Sequence, residues 1–296
     1  MTLITNTQNI GSRVYTTASE ITTELATIET NNYLCQLDYL TAIKIIGNNA
    51  ATFLQGQLTC DITKVTADTQ QSGALCTLKG RVLALLNIIY HDNAYFIIIP
   101  KDLLQIVIEA LRMPAAFSKV ILTPMPTIFI FGFFGENNFS NTLVFDYKSH
   151  IDNNRAILLT TNPEVLQHNQ STQIQYKNSL LWHYLNLQNN TLNIYPETSG
   201  MFLPHRLNLH LNNYISFNKG CYKGQEIIAR TQYLGTLKHE LIFRKIQQPT
   251  PPILGSILHD LISKQELGTV IDYCPYNHNH YLIALSTFSH LNSHLG

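Results

Sequence analysis

Short apolar runs separated by polar turn residues extend along most of the chain. The most apolar runs, Val82–Tyr90, Tyr95–Pro100 and Thr127–Phe134, are rich in β-branched and aromatic residues and are too short to cross a bilayer. They therefore predict buried β-strands. The pattern changes to a helical spacing over Asp102–Arg112 and Asn178–Leu187, where apolar residues return every three or four positions.

The same criteria predict the remaining elements. Further strands are predicted at 33–36, 41–46, 72–78, 120–122, 142–145, 156–160, 255–258, 267–273 and 280–285. Further helices are predicted over 17–29 with Ser19 as cap, after the cap Asn48, over 163–168 and from Gln225. Because strands and helices mix without strict βαβ alternation, the sequence predicts an α+β fold.

A length of 296 residues suggests about two domains of ordinary size, or one large domain with an appendage. We expect an N-terminal α+β lobe over 1–115, a second α+β lobe over 116–236 and a small C-terminal β-barrel over 237–296. A proline-rich stretch, Gln247–Leu254, is either a linker or a turn that enters a strand. The boundaries are approximate because the strands of two such lobes can interleave.

Composition excludes several classes of protein. The chain is 45% hydrophobic and 13% charged with a formal net charge of +0, which excludes an intrinsically disordered chain and argues against a surface that binds nucleic acid throughout. Its five cysteines are odd in number and include no Cys-x-x-Cys pair, so neither a disulfide framework nor a zinc site is expected. The polar segment 1–13 lacks the pattern of an export signal. We therefore expect reduced thiols and a cytoplasmic protein with no membrane attachment.

The segment from Tyr195 to Arg230 carries the strongest candidate chemistry. Within it, the sequence Lys-Gly-Cys-Tyr-Lys-Gly-Gln-Glu at 219–226, here called the cysteine motif, places Cys221 two residues from a lysine on each side. Glycine permits a left-handed turn or a close backbone approach, and a helix that starts at Gln225 offers N–H groups to an anion or a thiolate. Cys221 is thus the one cysteine with a physical case for a reactive thiolate; the alternative is a small, buried, inert residue.

Basic residues also cluster near the motif. Residues 201–250 contain seven Lys or Arg but only two Glu. Such a segment fits the carboxylates of a cofactor, a phosphate backbone or a solvated face. Trp182, the single tryptophan, is either a core residue or a flat platform for a pterin or a base. The sequence has no glycine-rich nucleotide-binding loop and no Gly-x-Ser-x-Gly nucleophile elbow.

The cysteine motif closely resembles that of the YgfZ family of folate-binding, tRNA-modification proteins. The resemblance covers most of the chain and includes segments Phe53–Asp61, Lys79–Arg81, Pro196–Gly200, Phe202–Pro204, Asn208–Leu209, Ile215–Phe217 and Leu267–Val270. It implies a fold like the T protein of the glycine cleavage system. In that fold, two ferredoxin-like α+β lobes, the first of which binds folate, and a small C-terminal β-barrel surround a central hole.

The resemblance also implies roles for individual residues. Cys221 would be the family's essential cysteine and act as the catalytic residue, and Trp182 would line the site of tetrahydrofolate or another reduced folate. The residues expected to bind this cofactor are Trp182, Lys219, Gly220, Tyr222, Gly224, Gln225, Glu226 and Arg230, and no metal ligand is expected. Because Glu226 and Arg230 are four apart on one helix face, we expect them to brace each other.

One difference separates the chain from the related aminomethyltransferases. Those enzymes carry paired aspartates in the second strand of a hairpin, and with Gly80 aligned this chain has Ala84 and Leu85 there. Neither side chain can accept a proton, so glycine cleavage is not the expected activity. The family resemblance also implies a second aromatic residue at the folate site, and the aligned position in this chain is Leu40, next to Tyr39. One wall of the site therefore departs from the family pattern.

The sequence therefore leads to a folate-binding accessory protein that supports tRNA methylthiolation and the maintenance of iron–sulfur enzymes. Folate and tRNA-modifying iron–sulfur enzymes are the expected partners, and direct contact with tRNA stays undecided. The alternative is a folate-dependent one-carbon transferase or demethylase with an unknown substrate, in which Cys221 is a nucleophile or general acid. A third hypothesis is a structural scaffold that has lost folate.

Overall fold

The β-branched and aromatic runs form strands, as their pattern predicts. The computed structural model describes residues 6–26, 32–67, 69–135, 145–151, 154–162, 174–235 and 237–288. The strands are β1 (Asn6–Ile10), β2 (Arg13–Thr17), β3 (Tyr33–Gln36), β4 (Leu40–Ile46), β5 (Gln71–Cys76), β6 (Val82–His91), β7 (Ala94–Pro100), β8 (Ile121–Met125), β9 (Phe129–Phe134), β10 (Tyr147–His150), β11 (Arg155–Thr160), β12 (Gln175–Lys177), β13 (His239–Gln247), β14 (Ile257–His259), β15 (Glu266–Asn277) and β16 (His280–Phe288). The helices are α1 (Ile21–Ala26), α2 (Ala50–Gln57), α3 (Leu104–Phe117), α4 (Ser179–Gln188) and α5 (Gln225–Leu234).

The first large sheet has the order β5-β6-β7-β4-β8 and is antiparallel throughout. Its β5–β6 hairpin pairs the strands predicted at 72–78 and Val82–Tyr90, and Lys79–Arg81 lies in the turn between them. Helix α3 buries Val107, Leu111 and Ala115, which recur at helical spacing.

The second large sheet has the order β10-β11-β9-β3-β12, and β3 pairs with β12 in parallel. Helix α4 packs against β3, and its residues from Ser179 to Leu187 are all buried. Gly132 on β9 leaves the space that the indole of Trp182 needs, because a Cβ at Gly132 would lie 2.5 Å from the ring. Strand β3 thus joins a sheet that otherwise follows residue 115, so the strands of the two lobes interleave. The boundaries at 115 and 236 stay predictions.

The C-terminal residues form a four-stranded antiparallel sheet with the order β13-β16-β15-β14, which packs on α4. A buried polar network connects this sheet to the rest of the protein. The hydroxyl of Tyr195 donates to Asp272 at 2.7 Å, and His183 of α4 lies 3.1 Å from the same carboxylate. Arg13 of β2 binds Asp102 with two hydrogen bonds of 3.0 Å. These contacts fix the lobes and the C-terminal sheet around their common core.

Several details differ from the sequence predictions. Helix α1 begins at Ile21, so Ser19 is not its cap, and α2 begins after Asn49 rather than Asn48. The side chain of Asn49 donates to the carbonyl of Ser118 at 3.0 Å and so contributes a tertiary contact instead of a cap. Helix α3 continues through Pro114 beyond its predicted end. The β1–β2 hairpin was not predicted because its polar residues hide the strand pattern.

Two predictions fall on residues that are not described: the helix over 163–168 and most of the strand over 142–145. Within the described ranges, no helix has both the length and the apolar character needed to span a membrane.

Candidate functional site

A central cavity lies between the first sheet, β11 of the second sheet and the segment that follows α4. It has a larger compartment of about 480 Å³ and a smaller one of about 90 Å³. The residues that line both compartments are Ser72, Leu85, Ile151, Arg155, Thr191, Leu192 and Tyr214. The two compartments are therefore parts of one space, and its larger part falls in the size range of small-molecule sites.

In the described part of the chain, three aromatic side chains line the smaller compartment. Trp182 of α4, Tyr39 and Tyr214 all line it, although Trp182 is only 3% exposed. Leu40, at the position of the expected second aromatic, lines the same compartment beside Tyr39. The structure thus brings together the residues that the sequence placed on two sides of one site, and Trp182 is both a core residue and a cavity wall.

Arg155 supplies the cavity's charge. Among the described residues that line the two compartments it is the only ionisable residue besides tyrosines, and none is an Asp or Glu. Its Nη1 donates to the side chains of Asn186 at 2.5 Å and Thr191 at 3.2 Å, which hold the guanidinium against the wall. Leu85, which lies where a paired aspartate would lie in the aminomethyltransferases, also faces the cavity. A guanidinium held in place beside aromatic rings suits a flat ligand that carries a carboxylate.

Sequence reasoning missed Arg155 and Tyr214. A signal for Arg155 existed, because it is the one charged residue in β11, a strand whose six residues are all buried. Buried arginines are uncommon unless they are paired or functional. Tyr214 offers no comparable signal, since it follows two asparagines in an irregular segment.

The cysteine motif lies elsewhere: none of its residues is among the described residues that line the cavity. Its first residue, Lys219, points into the protein instead of toward Cys221. Its Nζ donates to the carbonyl oxygens of Gln55 (2.8 Å), Leu58 (2.7 Å) and Cys60 (2.6 Å). Burial lowers the pKa of Lys219 to about 8. An ammonium group at the carboxyl end of α2 satisfies carbonyls that the helix leaves free and complements its dipole.

A pair of glycines holds the other end of the motif. Gly224 has a φ of +83°, and a Cβ there would lie 2.5 Å from the carbonyl oxygen of Thr77 and 3.0 Å from the Cα of Gly80. Gly80, with a φ of +69°, would in turn place a Cβ 3.2 Å from Ile227 and Ile228. The backbones of motif and hairpin turn can approach this closely only because both positions lack a side chain.

Cys221 is exposed, while the other four cysteines are buried. Burial raises the pKa of the thiols of Cys60 and Cys76 to about 12, so these side chains are inert near neutral pH. Gly220, which precedes Cys221, is also exposed and has open space on its Cβ side. The anchored ends of the motif therefore present a single accessible thiol at the surface.

The remaining predicted site residues have varied surroundings. Tyr222 is buried, and its backbone N–H donates to the side-chain oxygen of Gln225 at 3.2 Å at the start of α5. Glu226 and Arg230 are both exposed, and no ion pair joins them, so the expected brace between them is wrong. Their spacing on the helix allows a contact. However, an exposed ion pair gains little energy in water, too little to offset the conformational entropy that the two side chains would lose.

The motif and the cavity are connected by the β5–β6 hairpin. Lys223 donates its backbone N–H to Gly56 at 3.0 Å, and the Phe202 carbonyl accepts from Val82 at 2.9 Å. The segments 53–61, 79–81, 196–204 and 219–226 thus meet at the turn end of the hairpin, whereas Ser72 and Leu85 line the cavity. Four residues along a strand separate Ser72 from Cys76, which corresponds to about 13 Å.

Replacing Lys219 by Met tests its role as an anchor. The change keeps the apolar stem and removes the donor to three carbonyls, so we expect a loss of about 1–3 kcal/mol in the free energy of unfolding. Urea denaturation measures it. The control is Lys223→Met, because no side-chain hydrogen bond of Lys223 occurs in the described structure, and a change within about 0.5 kcal/mol is expected. Equal losses in the two variants would contradict the anchoring role.

No metal site accompanies these features: the described residues include no group of three or more His, Cys, Asp or Glu arranged to hold a metal ion.

Comparison with known proteins gives the following similarities. No family model matches the chain. It is 31% identical over 216 residues to an uncharacterized protein of Haemophilus influenzae, which covers 72% of this chain and 74% of that protein. It is 26% identical over 239 residues to the tRNA-modifying protein YgfZ of Colwellia psychrerythraea, with 74% and 73% covered. The solved structure of aminomethyltransferase T of the glycine cleavage system from Bartonella henselae matches with a TM-score of 0.74 at 12% identity, over 97% of this chain and 87% of that one. This last match confirms the predicted fold.

Proposed function

Because the chain belongs to the YgfZ family of tRNA-modifying proteins, we propose that it is a cytoplasmic accessory protein that binds a reduced folate and supports tRNA modification. We further propose that it acts in methylthiolation and in the upkeep of the iron–sulfur enzymes that carry it out. The observation that carries the proposal is the central cavity, whose described lining includes three aromatic side chains and the guanidinium of Arg155.

Tetrahydrofolate fits the chemistry of this cavity. Its pterin is a flat aromatic group suited to Trp182 and Tyr39, and its glutamate carboxylates suit Arg155. Contact of folate with the motif residues, including Lys219 and Arg230, stays a prediction. The described geometry supports a positioning role for the motif, because it holds the turn of the hairpin whose strands line the cavity.

Cys221 is proposed as the group that acts on a partner. It is exposed, so a partner's thiol or a metal cluster can reach it, and exchange with a thiol and ligation of a cluster both stay open. Among the described residues that line the cavity, no carboxylate is available to assist one-carbon transfer from folate, which favours the accessory role over the enzymatic alternative.

Titration of the purified full chain with tetrahydrofolate tests the folate site. We expect saturable quenching of Trp182 fluorescence and a measurable heat of binding, because Trp182 is the single tryptophan and lines the cavity. Arg155→Lys keeps the charge but not the two-pronged geometry and should weaken binding several-fold. No quenching and no heat would favour the scaffold hypothesis, and turnover with formaldehyde or methylated substrates would favour the transferase.

Cys221→Ser tests the thiol. Because Cys221 is exposed, the variant should keep the stability and folate affinity of the parent, and it should fail to restore methylthiolated tRNA in a deletion strain. The modified nucleoside is measured by mass spectrometry of digested tRNA. Full restoration would remove Cys221 from the function while leaving the folate site untouched.

A further inference from the structure

Basic side chains gather on the outer surface where the cysteine motif meets the hairpin turn. We call this surface the basic face and define it by six residues of neighbouring segments: Lys79, Arg81, Arg206, Lys223, Arg230 and Lys238. Lys79, Arg81, Arg230 and Lys238 are exposed, and the other two are half-buried. They lie far apart in sequence, from the first predicted lobe to the residue before β13, and the fold brings their segments together.

Contacts between these segments place the hairpin turn, the segment 204–207, α5 and the start of β13 next to one another. Gly80, between Lys79 and Arg81, packs on the first turn of α5. The guanidinium of Arg81 donates to the carbonyl of Met201, and the side chain of His205 lies 3.0 Å from that of Gln232 on α5. Burial lowers the pKa of Arg206, and the charge of Arg81 lowers it further. The two guanidinium groups are therefore close enough to repel each other.

Acidic residues are few in the segments that carry the six bases. In the described ranges 77–81, 204–207, 218–235 and 237–240, the only acidic residues are Glu226 and Glu240. No ion pair between the six bases and a carboxylate occurs among the described residues. None of the six lines the two compartments of the central cavity, so they do not serve the carboxylates of a ligand there. Their charge is available to a partner outside the protein.

Exposed apolar and aromatic side chains lie among these charges. Tyr233 near the end of α5 is 69% exposed, and Leu78 in the hairpin turn is 78% exposed. Proteins usually bind single-stranded regions of RNA with two kinds of side chain. Cations contact the phosphates, and an exposed aromatic ring nearby stacks on an unpaired base. A membrane-binding helix instead needs a broad apolar face, whereas most exposed positions of α5 are polar.

We propose that the basic face binds the phosphate backbone of an RNA directly and places Cys221 beside it. The inference rests on the proposed role in tRNA modification and adds a direct contact to it. Cys221 lies in the loop that ends at Gly224, within this surface, so an RNA held here would bring a modifying partner to the exposed thiol.

The test uses the full chain and an unmodified transcribed tRNA as the probe, with affinity measured by fluorescence anisotropy from about 50 to about 200 mM salt. The variant combines Lys79→Gln with Lys238→Gln, two exposed residues that neither line the cavity nor belong to the residues expected to bind folate. We expect roughly tenfold weaker binding and a salt dependence whose slope falls by about 2, one for each lost phosphate contact. The control combines Lys101→Gln, just before α3, with Arg112→Gln, within α3. Both residues are exposed, and the control should bind tRNA as the parent does.

Other results would overturn the inference. They are an absence of tRNA binding by the parent at the lowest salt, an equal loss in the control variant, or binding to vesicles of anionic lipid in place of tRNA. Tetrahydrofolate titrations of all three proteins should be identical. Loss of RNA binding with intact folate binding would remove only the direct contact, whereas a parent chain that fails to bind folate would contradict the proposed function itself.

Discussion

Gly224→Ala should lower the free energy of unfolding by about 2–5 kcal/mol and detach the cysteine motif from the hairpin turn. A left-handed conformation costs an L-residue about 1–2 kcal/mol, and Gly224 has a φ of +83°. The new methyl group would also lie 2.5 Å from the carbonyl oxygen of Thr77, a backbone atom that cannot rotate away. Overpacking of this kind adds about 1–3 kcal/mol. Urea denaturation measures the loss, and limited proteolysis should reveal a more accessible motif.

The motif contains its own control, Gly220. It has open space on its Cβ side and no positive φ, so Gly220→Ala should change the free energy of unfolding by less than about 0.5 kcal/mol. Both variants keep Cys221 and both lysines of the motif. If Gly224→Ala alone loses the ability to restore modified tRNA, then the position of the loop matters as well as its composition. Identical denaturation curves would show that the hairpin contact contributes nothing.

This pair of glycines explains why the motif and the hairpin turn belong to one structural unit. Lys219 anchors the motif on α2, and Gly224 anchors it on the turn between β5 and β6. The same two strands carry Ser72 and Leu85 into the cavity wall. The cysteine motif and the wall of the proposed folate site are therefore joined through one antiparallel hairpin.

The local parts of this arrangement could be predicted from the sequence. Strand-like runs on either side of a central glycine predicted β5 and β6, and helices were predicted at α4 and from Gln225. Each of these elements depends on interactions between near neighbours in sequence. The place of Trp182 and Leu40 in one site came from the family resemblance, and both residues do line the same compartment.

The long-range parts could not be predicted. Sequence neighbours suggested that Lys219 would flank the thiol of Cys221, but its ammonium binds carbonyls that lie about 160 positions earlier in the chain. A flexible four-carbon stem can reach in any direction, so spacing in sequence does not fix its target. Arg155 carried a signal as a charge in a buried strand, but only the packing of the sheets shows which cavity it enters.

Trp182→Ala should have the largest effect of all, on both stability and ligand binding. The indole is 3% exposed and packs against the bare Cα of Gly132, so its removal leaves a large void that should cost about 3–5 kcal/mol. The same ring lines the smaller compartment, so its loss should also remove stacking on the pterin. We expect this to weaken folate binding by about 1–3 kcal/mol, which raises Kd roughly 5- to 150-fold. Because the variant has no tryptophan, affinity is measured by calorimetry.

Leu181→Ala separates the two effects, because Leu181 neighbours Trp182 on α4, is fully buried and does not line either compartment. It should cost about 2–5 kcal/mol of stability and leave the affinity for folate unchanged when both variants are measured well below their unfolding temperatures. Equal weakening of folate binding in the two variants would mean that a loosened α4, not a lost ring, is responsible. Trp182→Phe completes the comparison: it retains an aromatic face, so affinity should fall less than with Ala if stacking on the ring is what holds the pterin.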